Sequence, residues 1–319
     1  KRNLENISFF ANESHLKYFS DDSIKLIPIQ KKSNNWMIQS IWIFLNFIFK
    51  KKDKNITFIT TDNYIIPLAC TLFFPFLIKK RINIIFHNNV DSLVLSKLKR
   101  WPLKMMMGLL NIKLITLTES GLNAVKKMGF KHSIFIPHFN FAHKNISLQA
   151  INLDTTKVNI LLIGRQATYF IQNILPKISI ETYLNLQFII VSKMSVPQSD
   201  QILHLEKRVD NAEFSYLFKN VDYCLFQNLN INYRPSGILL DSLSHNCPII
   251  APNKGHFKEF KKPDVGFFYK DHKDLETLLK RINSERIKKG YFSIDVYKEH
   301  LKRTSLSEFS KNLKLIFKN

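Results

Sequence analysis

Short apolar runs of strand length recur along the chain and alternate with longer segments of helical pattern. In the first half the runs are ISFF, IKLIPI, ITFITT, INIIFH, LITLTE and SIFIPH, with helix-like stretches such as 35–50 and 92–110 between them. After the polar stretch HKNISLQAINLDTTK (143–157) the rhythm returns as VNILLIG, LQFIIVS, DYCLFQ, PIIAP and GFFY, separated by patterns such as NAEFSYLFKN and HKDLETLLKRI. Strands that are apolar along their whole length are buried on both faces, which points to parallel sheets covered by helices. The pattern predicts an α/β protein of two doubly wound parallel-sheet domains, 1–150 and 151–290, followed by a helical segment over 291–319. In open sheets of this kind ligands bind beyond the carboxyl ends of the strands. The loops after Gly164, Gln227 and Pro252 are therefore where chemistry is expected.

A chain of 319 residues exceeds what one core comfortably serves, in line with two domains. Apolar residues make up 45% and charged residues 23%, a globular balance. The net charge of +22 calls for an anionic partner: nucleic acid, an acidic membrane surface or a phosphorylated ligand. Charge alone does not choose among these. Cys70, Cys224 and Cys247 have no metal-ligand spacing and sit in apolar runs, which reads as buried reduced thiols in a reducing compartment. A cytoplasmic protein is expected. No signal-peptide pattern is visible, and the longest apolar run, 64–78, is broken by Pro67 and Pro75. It falls short of the roughly 20 residues a spanning helix needs, so no transmembrane segment is expected.

One stretch carries most of the chemistry: INYRPSGILLDSLSHNCPIIAPNKGHFKE, residues 231–259. Ser236 and Gly237 read as a helix start, where unpaired backbone N–H groups and the positive end of the helix dipole receive an anion. Asp241 follows one turn after Gly237, placed to accept hydrogen bonds from ribose hydroxyls while the Ser236 and Gly237 N–H groups meet phosphate. The plainer alternative makes Ser236 an ordinary N-cap and Asp241 an acid that complements the helix dipole. Arg165, after an apolar strand and Gly164, suits phosphate because its planar fork gives two charge-assisted bonds. A salt-bridged surface Arg is the alternative there.

On these residues the chain resembles the GT-B glycosyltransferases, in particular the retaining group-1 branch that builds bacterial surface polysaccharides. The resemblance spans roughly 82–280. ILLIGR resembles the Gly-Arg that follows the first strand of the family's donor half, and NAEFSYLFKNVDYCLFQN resembles the helix and strand before its main motif. That motif is Glu, seven residues, Glu, a small-residue helix, Pro, an apolar strand and a closing Glu. Here its acidic positions fall on Tyr233, Asp241 and Glu259, so the first carboxylate is replaced by a phenol. The resemblance implies two Rossmann-like domains facing a central cleft, with the last helix packing back toward the first domain. It implies a donor site made of Gly164, Arg165, Tyr233, Arg234, Ser236, Gly237, Asp241 and His256. His87, Arg165 and Glu259 are the expected catalytic positions, His87 on the acceptor side and Glu259 near the sugar hydroxyls. Phe170 stands where the family usually has a second phosphate-binding Lys, a place Arg234 could fill. Glu119, in LTESG, resembles a residue of the family's strand-to-helix turn, with a helix-starting acid as the alternative.

Two basic and aromatic stretches suit an anionic bilayer surface: WMIQSIWIFLNFIFKKKDK (36–54) and KLKRWPLKMMMGLL (97–110). Core helices with charged ends are the alternative for both. The expectation is a peripheral enzyme on the cytoplasmic face of the membrane, moving a sugar with retention from a nucleotide donor, uridine-linked, to a growing polysaccharide or lipid-linked glycan. No metal or other cofactor is expected, because Arg and helix-terminal N–H groups are available for the phosphates. An epimerase or hydrolase on the same scaffold is the nearest alternative, since fold alone does not establish activity. Nucleic-acid binding would suit the charge, but the sequence has no zinc spacing, no RNA-binding aromatic signature and no basic cluster confined to one domain.

Overall fold

The computed structural model describes residues 8–12, 25–29, 55–58, 65–86, 90–137, 151–206, 209–227, 232–233, 236–261 and 265–292, with 302, 305, 308, 311 and 312. In chain order its helices and strands begin with β1 (Ser8–Asn12), β2 (Lys25–Ile29), β3 (Asn55–Phe58), α1 (Ile65–Leu72), α2 (Phe74–Leu77) and β4 (Arg81–Phe86). They continue with α3 (Val90–Leu95), α4 (Lys97–Leu109), β5 (Asn111–Thr116), α5 (Glu119–Lys127), β6 (Ser133–Phe135), β7 (Val158–Ile163), α6 (Arg165–Asn173) and β8 (Leu186–Val191). The remainder are β9 (Ile202–Leu205), α7 (Asn211–Asn220), β10 (Tyr223–Leu225), α8 (Gly237–Ser244), β11 (Ile249–Pro252), β12 (Gly266–Tyr269) and α9 (His272–Glu285). The sheets are ordered β1-β2, β3-β4-β5-β6 and β12-β11-β10-β7-β8-β9. The strand pairings described in them are parallel, as the continuous apolar runs predict.

The chain divides into two compact units, 1–84 with 96–113 and 85–95 with 114–319. In the first unit α1 and α4 pack on each other, burying Cys70, Leu103 and Met106. The second unit takes in the last residues of β4 and β5 because Asp91 and Thr118 to Ser120 are hydrogen-bonded to residues far along the chain. The expected helix over 291–319 lies almost entirely outside the described residues.

The six-stranded sheet explains itself from sequence. All six residues of β7 are buried. Because side chains alternate across a strand, Val158, Ile160 and Leu162 enter one core while Leu161 and Ile163 enter the other. Ala167 and Phe170 of α6 and Leu275, Leu279 and Ile282 of α9 close the first core. Leu217 and Phe218 of α7 with Leu239 and Leu243 of α8 close the second. The sheet is therefore doubly wound, and its carboxyl edge carries the loops after β7, β10 and β11. Asp222 ties the opposite edge, its carboxylate accepting the Asn159 N–H at 2.9 Å and the Lys289 N–H at 3.2 Å.

Candidate functional site

At the carboxyl end of β7 the chain turns at once into α6, and Gly164 makes the turn possible. Its φ of 62° and ψ of −132° lie where a side chain is strained, and a Cβ there would meet Ile238 Cδ1 at 3.3 Å. The first turn of α8 thus lies against the turn that starts α6. No side chain caps α6, its first turn holds no acid, and Arg165 opens it with an exposed side chain. Among the described residues Arg165 has no acidic partner. The next residue, Gln166, is buried and its side-chain oxygen accepts the Gln227 N–H at 2.6 Å, fastening the ends of β7 and β10 together. The Gln227 amide is itself fully buried, with neither polar atom hydrogen-bonded.

At the start of α8, Ser236 Oγ accepts the Leu239 N–H at 3.3 Å, so the expected N-cap is present, and Gly237 is exposed. Asp241 is half-buried and lies beyond the first turn, which holds no acid. That position weakens the dipole explanation for Asp241, since the effect fades past the first turn. Its backbone carbonyl accepts from His245 N at 3.2 Å.

A second cluster holds Asn232 and Tyr233. Asp91 Oδ1 accepts both of their N–H groups, at 2.9 and 3.1 Å. Thr118 Oγ1 donates to the Tyr233 carbonyl at 2.6 Å and accepts the Gly121 N–H at 3.0 Å, and Ser120 Oγ donates to the Asn232 carbonyl at 3.4 Å. Beside them, Gly255 has φ of +57°, and a Cβ there would lie 2.6 Å from both Cα and O of Asn232. Only glycine lets the turn 255–260 pass this close. That turn delivers Glu259, whose two carboxylate oxygens accept the Glu119 N–H at 3.0 Å and the Ser120 N–H at 2.7 Å. A carboxylate on the first N–H groups of α5 is favoured by charge-assisted bonding and by the helix dipole.

Glu259 was expected near sugar hydroxyls; here both its oxygens serve α5. Glu119 is the first residue of α5, and His256 is 1% exposed with its ring 4.3 Å from that of Phe257. His87 and Arg234 lie outside the described residues. Sequence reasoning did not find Asp91, Thr118, Ser120 or Gln166, and it named Gln227 only as the end of a strand; LTESG, read for its glutamate, flagged the turn that holds Thr118 and Ser120. The cysteines are buried, and burial pushes the Cys70 and Cys247 thiols up to about 12, which leaves no thiolate nucleophile at neutral pH. Among the described residues no group of side chains could hold a metal ion, and no helix is long and apolar enough to cross a membrane.

A glycine turn and two helix starts meet at the carboxyl edge of a doubly wound sheet, the edge at which open α/β sheets bind their ligands. No protein-family model and no curated protein matches the chain by sequence. Solved structures do match by fold. Anabaena HepE in complex with UDP and glucose superposes with a TM-score of 0.69 at 10% identity, covering 97% of this chain and 90% of that one. Sucrose-phosphate synthase from Thermosynechococcus elongatus gives 0.64 at 12% identity over 97% and 88%. WaaG, a glycosyltransferase involved in lipopolysaccharide biosynthesis, gives 0.58 at 11% identity over 94% and 88%. The chain has the GT-B fold.

Proposed function

We propose that this protein is a nucleotide-sugar-dependent glycosyltransferase that takes a uridine-linked donor and passes its sugar, with retention, to a growing glycan or lipid-linked acceptor. The observation that carries the reading is the meeting of the Gly164 turn with the first turn of α8 at the carboxyl edge of the six-stranded sheet. HepE, with the same fold, has been crystallised with UDP and with UDP-glucose, which supports the choice of donor. In this account the Arg165 guanidinium and the first N–H groups of α6 face the diphosphate, and the N–H groups of Ser236 and Gly237 add to them. As the bond between the anomeric carbon and the phosphate oxygen breaks, the negative charge growing on the diphosphate is stabilised by these donors. The acceptor oxygen bonds to the anomeric carbon on the face the diphosphate leaves, which keeps the configuration, and its proton passes to the departing phosphate oxygen. Asp241 receives the ribose hydroxyls, and Arg234 is assigned to the donor side from its place in the sequence.

Tyr233 occupies the place of the family's first acid, and its backbone is fixed by Asp91 and Thr118. Glu259 acts by holding α5 beside this loop, a positioning role. His87 is assigned to the acceptor side from its place in the sequence alone. The protein works on the cytoplasmic face of an anionic membrane, where a lipid-linked acceptor is within reach. A thermal-shift screen of UDP, GDP, ADP and their sugars tests the donor, because a ligand that binds only the folded state raises apparent stability. Stabilisation by UDP and a UDP-sugar above the others is expected; none by any nucleotide rejects the reading. Proton NMR of the first product reads retention, and an inverted anomeric signal rejects that part.

A further inference from the structure

Away from the candidate site, the described residues of the first unit leave large apolar side chains exposed. α1 and α4 pack on each other and Cys70, Leu103 and Met106 are buried, yet both helices also turn large apolar side chains outward. On α4, Leu98, Trp101, Met105 and Leu109 fall at i, i+3, i+7 and i+11, one stripe of a helix. Leu98 is 75% and Trp101 57% exposed. From α1 through α2 to the turn beyond, Leu72 is 77%, Phe76 58% and Ile78 55% exposed. Large apolar side chains this exposed and this concentrated mark an interaction surface.

Charge identifies the partner. Exposed Lys79 directly follows Ile78, and exposed Lys97 and Lys104 border the α4 stripe. Among the described residues these three lysines have no acidic partner. A two-fold dimer through this face would set the same lysines against their own copies on a chain of net charge +22. An anionic bilayer satisfies both features, taking apolar side chains into the boundary between headgroups and acyl chains and pairing lysines with headgroup phosphates. We propose that the face formed by α1, α2 and α4 docks the protein on an anionic lipid surface through Leu72, Phe76, Leu98 and Trp101, with Lys79, Lys97 and Lys104 around them. The inference deepens the proposed function by naming the surface that meets a lipid-linked acceptor, and it rests on that reading only for its purpose.

Flotation of the full chain with vesicles of phosphatidylcholine, with and without phosphatidylglycerol, tests it. Binding to the phosphatidylglycerol vesicles that weakens with added salt is expected. Leu72→Ser and Trp101→Ser should each weaken it about tenfold, and Lys97→Gln and Lys104→Gln about fivefold each. All four variants should keep the melting temperature and the affinity for UDP of the parent, so a missing donor site and a missing membrane face are told apart. Equal partition into both vesicles, no flotation, or variants that float like the parent would overturn the proposal. So would a dimer in light scattering that Trp101→Ser dissociates, since a second copy then covers the face. A marked fall in melting temperature for Leu72→Ser would overturn it too, by showing that the face is covered by its own chain.

Discussion

α5 and α6 are both nine residues long and each follows a parallel strand, yet their N-termini are finished in opposite ways. At α5 the chain supplies everything: Thr118 Oγ1 takes the Gly121 N–H, and the Glu259 carboxylate takes those of Glu119 and Ser120. At α6, among the described residues, there is no side-chain cap and no first-turn acid, and the start is made by Gly164 and the exposed Arg165. A helix start attracts negative charge wherever it lies. Where the protein provides that charge itself, the helix start is already satisfied; where it provides a cation and a turn without a cap among the described residues, the start is left able to receive an anion. The contrast is the reason for proposing the diphosphate at α6 and a positioning role for Glu259.

The strongest way to break this contrast is at Gly255. Gly255→Ala sets a Cβ against the Asn232 backbone in a left-handed conformation, and a loss of about 2–4 kcal/mol is expected from strain and overpacking together. Urea unfolding measures it, and an unchanged midpoint would mean that the 232–233 loop does not need this contact. Asp241→Asn is expected to weaken uridine, its monophosphate and its diphosphate alike by about 1.5–3 kcal/mol, as for a hydrogen bond to a charged group, while the melting temperature holds. Loss of stability without loss of affinity would return Asp241 to the helix. The smallest effect is expected from Glu259→Gln, about 1 kcal/mol of stability through the weakened cap on α5. The affinities for UDP and UDP-glucose should both stay as they were. A fall for UDP-glucose alone would move Glu259 back beside the sugar.

What could be read in advance follows from the range of the interactions. β7 was legible because VNILLI is apolar at every position but Asn159, and all six residues are buried. α7 was legible from the helical pattern of NAEFSYLFKN; the structure adds a start built locally, Asp210 accepting the Ala212 and Glu213 N–H groups while the Glu213 side chain accepts the Asp210 N–H. The turn at Gly164 and the cap at Ser236 are local in the same way. Glu259 was legible as an acid, but its bonds to α5 were not, because those partners lie 139 and 140 residues away and leave no trace in its neighbourhood. Asp91 and Thr118 were missed for the same reason, their partners in the 232–233 loop standing 115 to 142 residues off. Gln227 has no sequence signal beyond its place after an apolar strand.

Titration calorimetry of uridine, uridine monophosphate and uridine diphosphate against the parent and Arg165→Ala tests the contrast between the two helix starts most directly. The parent is expected to gain affinity with each added phosphate, and Arg165→Ala to reduce the advantage of the diphosphate over uridine by about tenfold or more while uridine itself binds as before. No gain from the phosphates in the parent, or a gain that survives intact in Arg165→Ala, would contradict the placement of the diphosphate at the start of α6.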